Sequence, residues 1–211
     1  MRLGTLHLQS LRIRSWKRLS RNSWSFWGLV CSALIIRIGF VLFVSPSLDV
    51  GQTLSVDASS YHQIAQNLVD HHIFTSSVDP PYDPNLPSTF RPPLTPFYLA
   101  AIYTVFGVNL QWGRLGLAII GAFSCGLTYV LGAKLFGRTT GLVAGIISCG
   151  YPFFLLLVHL PLTEGLSLFL LLILMTLLYE YNPQSENKDW GDNLRSHDSI
   201  CLLAQLSLIH I

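Results

Sequence analysis

The sequence predicts an all-α integral membrane protein with about four transmembrane helices and two interfacial helices in its first outer loop. Three observations lead there. Charged residues make up only 11% of the 211 residues, against about 25% in a soluble domain. The apolar residues, which raise mean hydropathy to +0.48, gather in blocks near the length that crosses the hydrocarbon core, about 20 residues. The first block is separated from the others by an acidic, proline-rich stretch suited to water or the membrane interface.

Residues 1–23 hold Arg2, Arg12, Arg14, Lys17, Arg18 and Arg21 and no acid, so the positive-inside rule puts this N-terminus in the cytoplasm. A first span is expected at 24–44, where Trp24 and Trp27 suit the interface. The run is longer than a signal-peptide core and no A-x-A-like site follows, which favours a retained span. Arg37 lies inside it, where a charge is costly and is either paired, functional or able to reach the interface from near a helix end.

The outer loop, 45–113, holds Asp49, Asp57, Asp70, Asp79 and Asp83 against Arg91 alone, with seven prolines from Pro80 to Pro96. One helix is expected at 57–73, because Tyr61, Ile64, Ala65, Leu68 and His72 recur at helical spacing on one face. A second, Leu94–Phe106, is apolar nearly all round but short for a crossing. Further spans are expected at 114–135, 141–158 and 162–181. Gly141 and Gly145 form a small-xxx-small pair suited to close helix packing. Residues 182–211 form a polar tail, and the chain reads as one stopped partway through a larger architecture.

The short helix decides the topology. If Leu94–Phe106 crosses the membrane, Lys134 and Arg138 fall outside and Glu164 inside. If it lies in the interface, Lys134 and Arg138 are cytoplasmic and Glu164 returns to the outer face beside Asp57. The second arrangement satisfies both the length requirement and the positive-inside rule. Cys31, Cys125, Cys149 and Cys201 are scattered without a CxxC or Cys/His cluster, which suggests packing roles. A net charge of +2 gives no case for a nucleic-acid partner.

The loop between the first two spans exceeds a simple connection, and three short patterns could carry chemistry. They are Asp57-x-x-x-Tyr61-His62, Phe90-Arg91-Pro92-Pro93-Leu94-x-Pro96, and Pro161-Leu162-Thr163-Glu164. With Phe106-Gly107 and Lys134-Leu135-Phe136-Gly137-Arg138 between them, their order resembles the start of the GT-C glycosyltransferases. The closest group is the protein mannosyltransferase and lipid A aminoarabinose transferase type, family 39 in the broad sense. The resemblance runs over about Leu29 to Tyr181.

That resemblance implies a polyprenyl-phosphate-linked sugar as donor and transfer at the outer face, periplasmic or lumenal, of a multi-pass protein such as one of the bacterial inner membrane. It implies Asp57 as the base that activates the acceptor, while the acceptor itself, whether lipid, glycan or protein, stays open. Divalent metal use varies among such enzymes, so a metal at Asp57 and Glu164 also stays open. The chemistry asks for these groups independently. A carboxylate must take the acceptor proton, and a cation must neutralise the departing phosphate. Arg91 suits the second task because guanidinium meets phosphate oxygens in a fork. Glu164, Tyr61 and His62 are candidates for support.

Each has a plainer reading. Asp57 could cap the helix it heads, Arg91 could anchor to lipid headgroups, and Glu164 could complement a helix dipole. Tyr61 and His62 are more often packing residues, and His71–His72 is expected to be solvated. Two other functions compete: a non-catalytic membrane subunit or pseudoenzyme fragment, and a small transporter, which would need mid-span polar groups or broken helices.

Overall fold

The computed structural model describes residues 23–49, 55–83 and 85–181, and every regular element among them is helical. The basic segment up to residue 22 and the polar tail from 182 lie outside the described residues. The first helix, α1 (Ser23–Gly39), runs through a π turn, Phe40–Val44, into α2 (Ser45–Asp49). There follow α3 (Val56–Asp70), α4 (Leu94–Phe106), α5 (Leu110–Phe136), α6 (Arg138–Gly150), α7 (Pro152–His159) and α8 (Thr163–Tyr181).

Two helical stretches are long and apolar enough to cross a membrane, Trp24–Leu48 with 25 residues and Leu110–Phe136 with 27. The stretch expected as one span at 141–158 is instead two helices, α6 and α7, which meet at 50°. Pro152 has no N–H and cannot continue the helix that Gly150 ends, so the chain breaks there and restarts with proline in its first turn. A third crossing exists if that bent pair is one span. The apolar part of α8, Thr163–Tyr179, measures about 25 Å as a helix, a little short of a typical hydrocarbon core.

The spans pack through one buried face. Leu29, Ala33, Arg37, Val41 and Ser45 recur every four residues and are all buried, whereas Ile35 and Phe43 on the other side are 72% and 80% exposed. A stripe of that kind turns small or special side chains inward and leaves bulky apolar ones for lipid. Against it pack Ala122, Cys125 and Tyr129 of α5 and Cys149 of α6. The Gly141/Gly145 pair does bring helices close. A Cβ on Gly141 would stand 2.4 Å from the Ala133 backbone nitrogen, and one on Gly145 would stand 2.8 Å from Leu29 Cδ1.

Arg37 neither reaches the interface nor pairs with an acid among the described residues. Its guanidinium is buried and donates to the carbonyls of Cys149 at 3.3 Å and Ser148 at 3.2 Å. It also contacts Ala33 O and Cys125 Sγ, while its Nε has no protein acceptor. The broken helix explains this. The Ser148 carbonyl would ordinarily accept from the N–H four residues on, and that residue is Pro152. Arg37 takes the orphaned carbonyls and places its charge at the negative end of α6. Gly121 makes the room, since a Cβ there would meet Arg37 Nε at 2.8 Å.

Side-chain contacts sort the helix ends into two groups. At one end Arg138 donates to Ser25 Oγ and Tyr179 donates to Lys134 O, and the Lys134 ammonium lies over the Tyr179 ring. At the other, Ser45 Oγ meets His159 Nδ1 at 2.5 Å and Arg114 Nε donates to His159 O at 2.8 Å. The end of the first span and the start of α5 therefore sit together, and the intervening loop leaves and re-enters the bundle at the same end. Two helices do occur in that loop, α3 and α4. They pack on each other through Tyr61, Ala65, Leu99, Ala100 and Tyr103.

Candidate active site

The site is assembled from the first turn of α3, the proline-rich loop and the start of α4. Ser55 is the N-cap of α3, its hydroxyl accepting from Ala58 N. The capping role thus falls to Ser55, and Asp57 stands one turn-position inside the helix with its side chain 55% exposed. Its Oδ1 lies 2.6 Å from Arg91 Nη1.

Arg91 is not a lone cation. Its Nε and Nη2 donate to the two carboxylate oxygens of Asp79 at 3.0 and 2.9 Å, the two-pronged geometry that makes guanidinium–carboxylate pairs strong. Asp79 is 2% exposed and also accepts from the hydroxyl of Ser60, a fully buried residue of α3. Burial pushes the Asp79 carboxyl up, but the hydrogen bonds from Arg91 and Ser60 outweigh it and hold it below the usual carboxylate range. The hydrogen bond to Asp79, followed by that to Asp57, pushes the guanidinium further up. The Tyr61 and Phe90 rings flank Arg91 at 5.6 and 5.0 Å.

The loop holding Asp79 is tied to α3, where Asn67 donates to Thr75 O and Ser77 donates to Gln63, and closes on itself, where Ser88 donates to Pro80 O and Ser88 N donates to Phe74 O. Among the other candidates, Tyr61 bridges the loop to the membrane helices, its hydroxyl 2.7 Å from Thr163 Oγ1. Glu164 follows directly in the first turn of α8 and is exposed. His62 turns away from the cluster, its Nδ1 2.7 Å from the Tyr103 hydroxyl. Burial, then the charge of Arg114, pushes its imidazole down. His71 and His72 are exposed.

The structure therefore brings Asp57, Arg91 and Tyr61 into contact and places Glu164 beside the Tyr61–Thr163 bridge. Sequence reasoning missed Asp79. The available signal was charge balance, since Arg91 is the only Lys or Arg in 45–113 and must serve several acids. No group of three or more His, Cys, Asp or Glu gathers among the described residues. A guanidinium, not open space, lies between Asp57 and Asp79, so these residues do not form a cage for a divalent ion.

Comparison with curated proteins and with solved structures gives no match. Comparison with protein families gives one, over residues 90–193. The matched stretch opens at Phe90-Arg91 and takes in α4 to α8, and Asp57 and Asp79 lie before it. Residues 90–193 match the dolichyl-phosphate-mannose-protein mannosyltransferase family, a GT-C type of membrane glycosyltransferase, so this part of the chain is similar to a partial unit of that kind.

Proposed function

We propose that this chain supplies part of the active site of a membrane glycosyltransferase that moves a sugar from a polyprenyl-phosphate carrier to an acceptor at the outer membrane face. The observation that carries the reading is the ion pair between Asp57 and Arg91, which joins an exposed carboxylate to the first charged residue of the family-matched segment.

In this reading the Asp57 carboxylate takes the proton of an acceptor hydroxyl as its oxygen attacks the anomeric carbon. The bond from that carbon to the phosphate oxygen breaks, and the lipid phosphate leaves with the electron pair. Arg91 has five N–H groups, of which Asp79 engages two and Asp57 one. One N–H on each terminal nitrogen remains for phosphate oxygens. Glu164 and Tyr61 support the acceptor side, and His62 acts through packing against Tyr103. The grouping of Lys134 and Arg138 at the opposite end from the site supports a cytoplasmic assignment for that end.

Asp57→Asn tests the base assignment. With dolichyl-phosphate-mannose as donor and a Ser/Thr-containing peptide pool as acceptor, transfer by the full chain falls about 10²–10⁴-fold while dolichyl phosphate still binds. Transfer near the wild-type rate would remove Asp57 from the mechanism.

A further inference from the structure

We propose that Asp79 is the positioning residue of this site, clamping the Arg91 guanidinium through both carboxylate oxygens so that its remaining edge is presented to Asp57. The inference rests on the glycosyltransferase reading for its kinetic consequence but not for its geometry.

Three features separate this pair from an ordinary surface salt bridge. Asp79 is buried, with its side chain 3% exposed against 55% for Asp57. Its two oxygens meet Nε and Nη2, a two-point pairing that fixes the guanidinium plane as well as its position. It is also held from behind by Ser60, so the clamp is anchored on α3, the helix that carries Asp57 one turn earlier.

The geometry then has a consequence for charge. Two carboxylates and one guanidinium sum to −1. A phosphate therefore gains little from the cluster's net charge in the ground state, and its stabilisation as it departs relies on where the two remaining N–H groups point. A guanidinium held at one edge delivers that direction without further loss of side-chain entropy, whereas a free arginine would have to be ordered each time. Asp79 does not face the reacting atoms in this scheme. It acts through Arg91.

The test combines a spectroscopic readout with kinetics, on the full chain in lipid nanodiscs. With arginine side chains labelled at Nε, the Arg91 Nε–H resonance is assigned by its loss in Arg91→Lys. In the wild type and in Asp57→Asn it stays protected from solvent exchange. In Asp79→Asn it loses protection, in Asp79→Glu it regains part of it, and in Ser60→Ala, the milder variant if Asp79→Asn fails to fold, protection falls measurably. With dolichyl-phosphate-mannose as donor, kcat in Asp79→Asn drops on the order of 100-fold, the cost of a misplaced group, while KM for donor changes little and Asp79→Glu restores part of kcat. An Arg91 Nε–H equally protected in Asp79→Asn overturns the clamp, whatever the kinetics. A lost resonance with kcat unchanged overturns the positioning role. If the resonances behave as expected but the wild type transfers no sugar, the clamp stands and the glycosyltransferase reading falls.

Discussion

Arg37 and Arg91 are both held by several acceptors, yet their surroundings are opposite. Arg37 lies in the middle of the first span, is 1% exposed, and is met by carbonyl oxygens and a thiol. Arg91 lies outside the spans and is met by two carboxylates, one buried and one open to solvent. In the apolar interior the charge is solvated by backbone dipoles that a broken helix leaves spare, so it completes the fold. At the loop the charge is shared between an anchored partner and an exchangeable one, the arrangement a ligand can enter. The sequence reading of Arg37 allowed pairing, function or escape to the interface. The contacts show it taking the carbonyls that the proline break leaves spare at the end of α6.

The largest effect that would sharpen this contrast is from Arg37→Ala. It strips the partners from the Ser148 and Cys149 carbonyls, and the expected loss is about 2–5 kcal/mol, read as a lower melting temperature in detergent and a lower yield of folded protein. A variant that melts like the wild type would show that the break between α6 and α7 needs no capping, and the comparison would collapse.

A smaller effect probes the cause. Pro152→Ala restores an N–H that can take the Ser148 carbonyl within a continued helix. Arg37→Ala should then be less harmful in the Pro152→Ala background than alone, with a coupling of about 1–2 kcal/mol in a double-mutant cycle. Additive losses would mean that Arg37 and the proline break act independently.

The smallest expected effect lies between the two regions, at His62. Its imidazole is pushed down in the folded chain by burial and by Arg114, so the unfolded chain binds the proton first as pH falls. The folded state is thus unaffected above the ordinary histidine value of about 6.5 and loses stability below it, until His62 itself protonates. The melting temperature should drop by a few degrees at most between pH 7 and pH 5, and His62→Phe should reduce the drop. A drop of equal size in His62→Phe would assign the pH response to other groups.

Much of the framework was legible in the chain because the bilayer imposes coarse rules. Apolar run length located helices over 24–44 and 114–135, and helical spacing located α3, because lipid and water each demand a matching surface. Leu94–Phe106 was placed to the residue, its start fixed by Pro92-Pro93 and its end by Gly107, whose φ of 86° suits glycine. The break at Gly150-Tyr151-Pro152 was in the sequence too, but an apolar window counts Pro152 and its neighbours as one run. The extent of the membrane crossings beyond the two long stretches was accordingly expected more simply than the helices are built.

Composition, charge and run length by themselves determined that this chain is a membrane protein of helices with one acidic, proline-stiffened loop, since those features act residue by residue through solvation. Only the tertiary structure decided which acids Arg91 serves. Asp57, Asp70, Asp79 and Asp83 are indistinguishable as charges along the chain. Asp79 became the anchor because the loop folds back over α3, bringing Ser60 and Arg91 to a carboxylate that had left water and had to be paired.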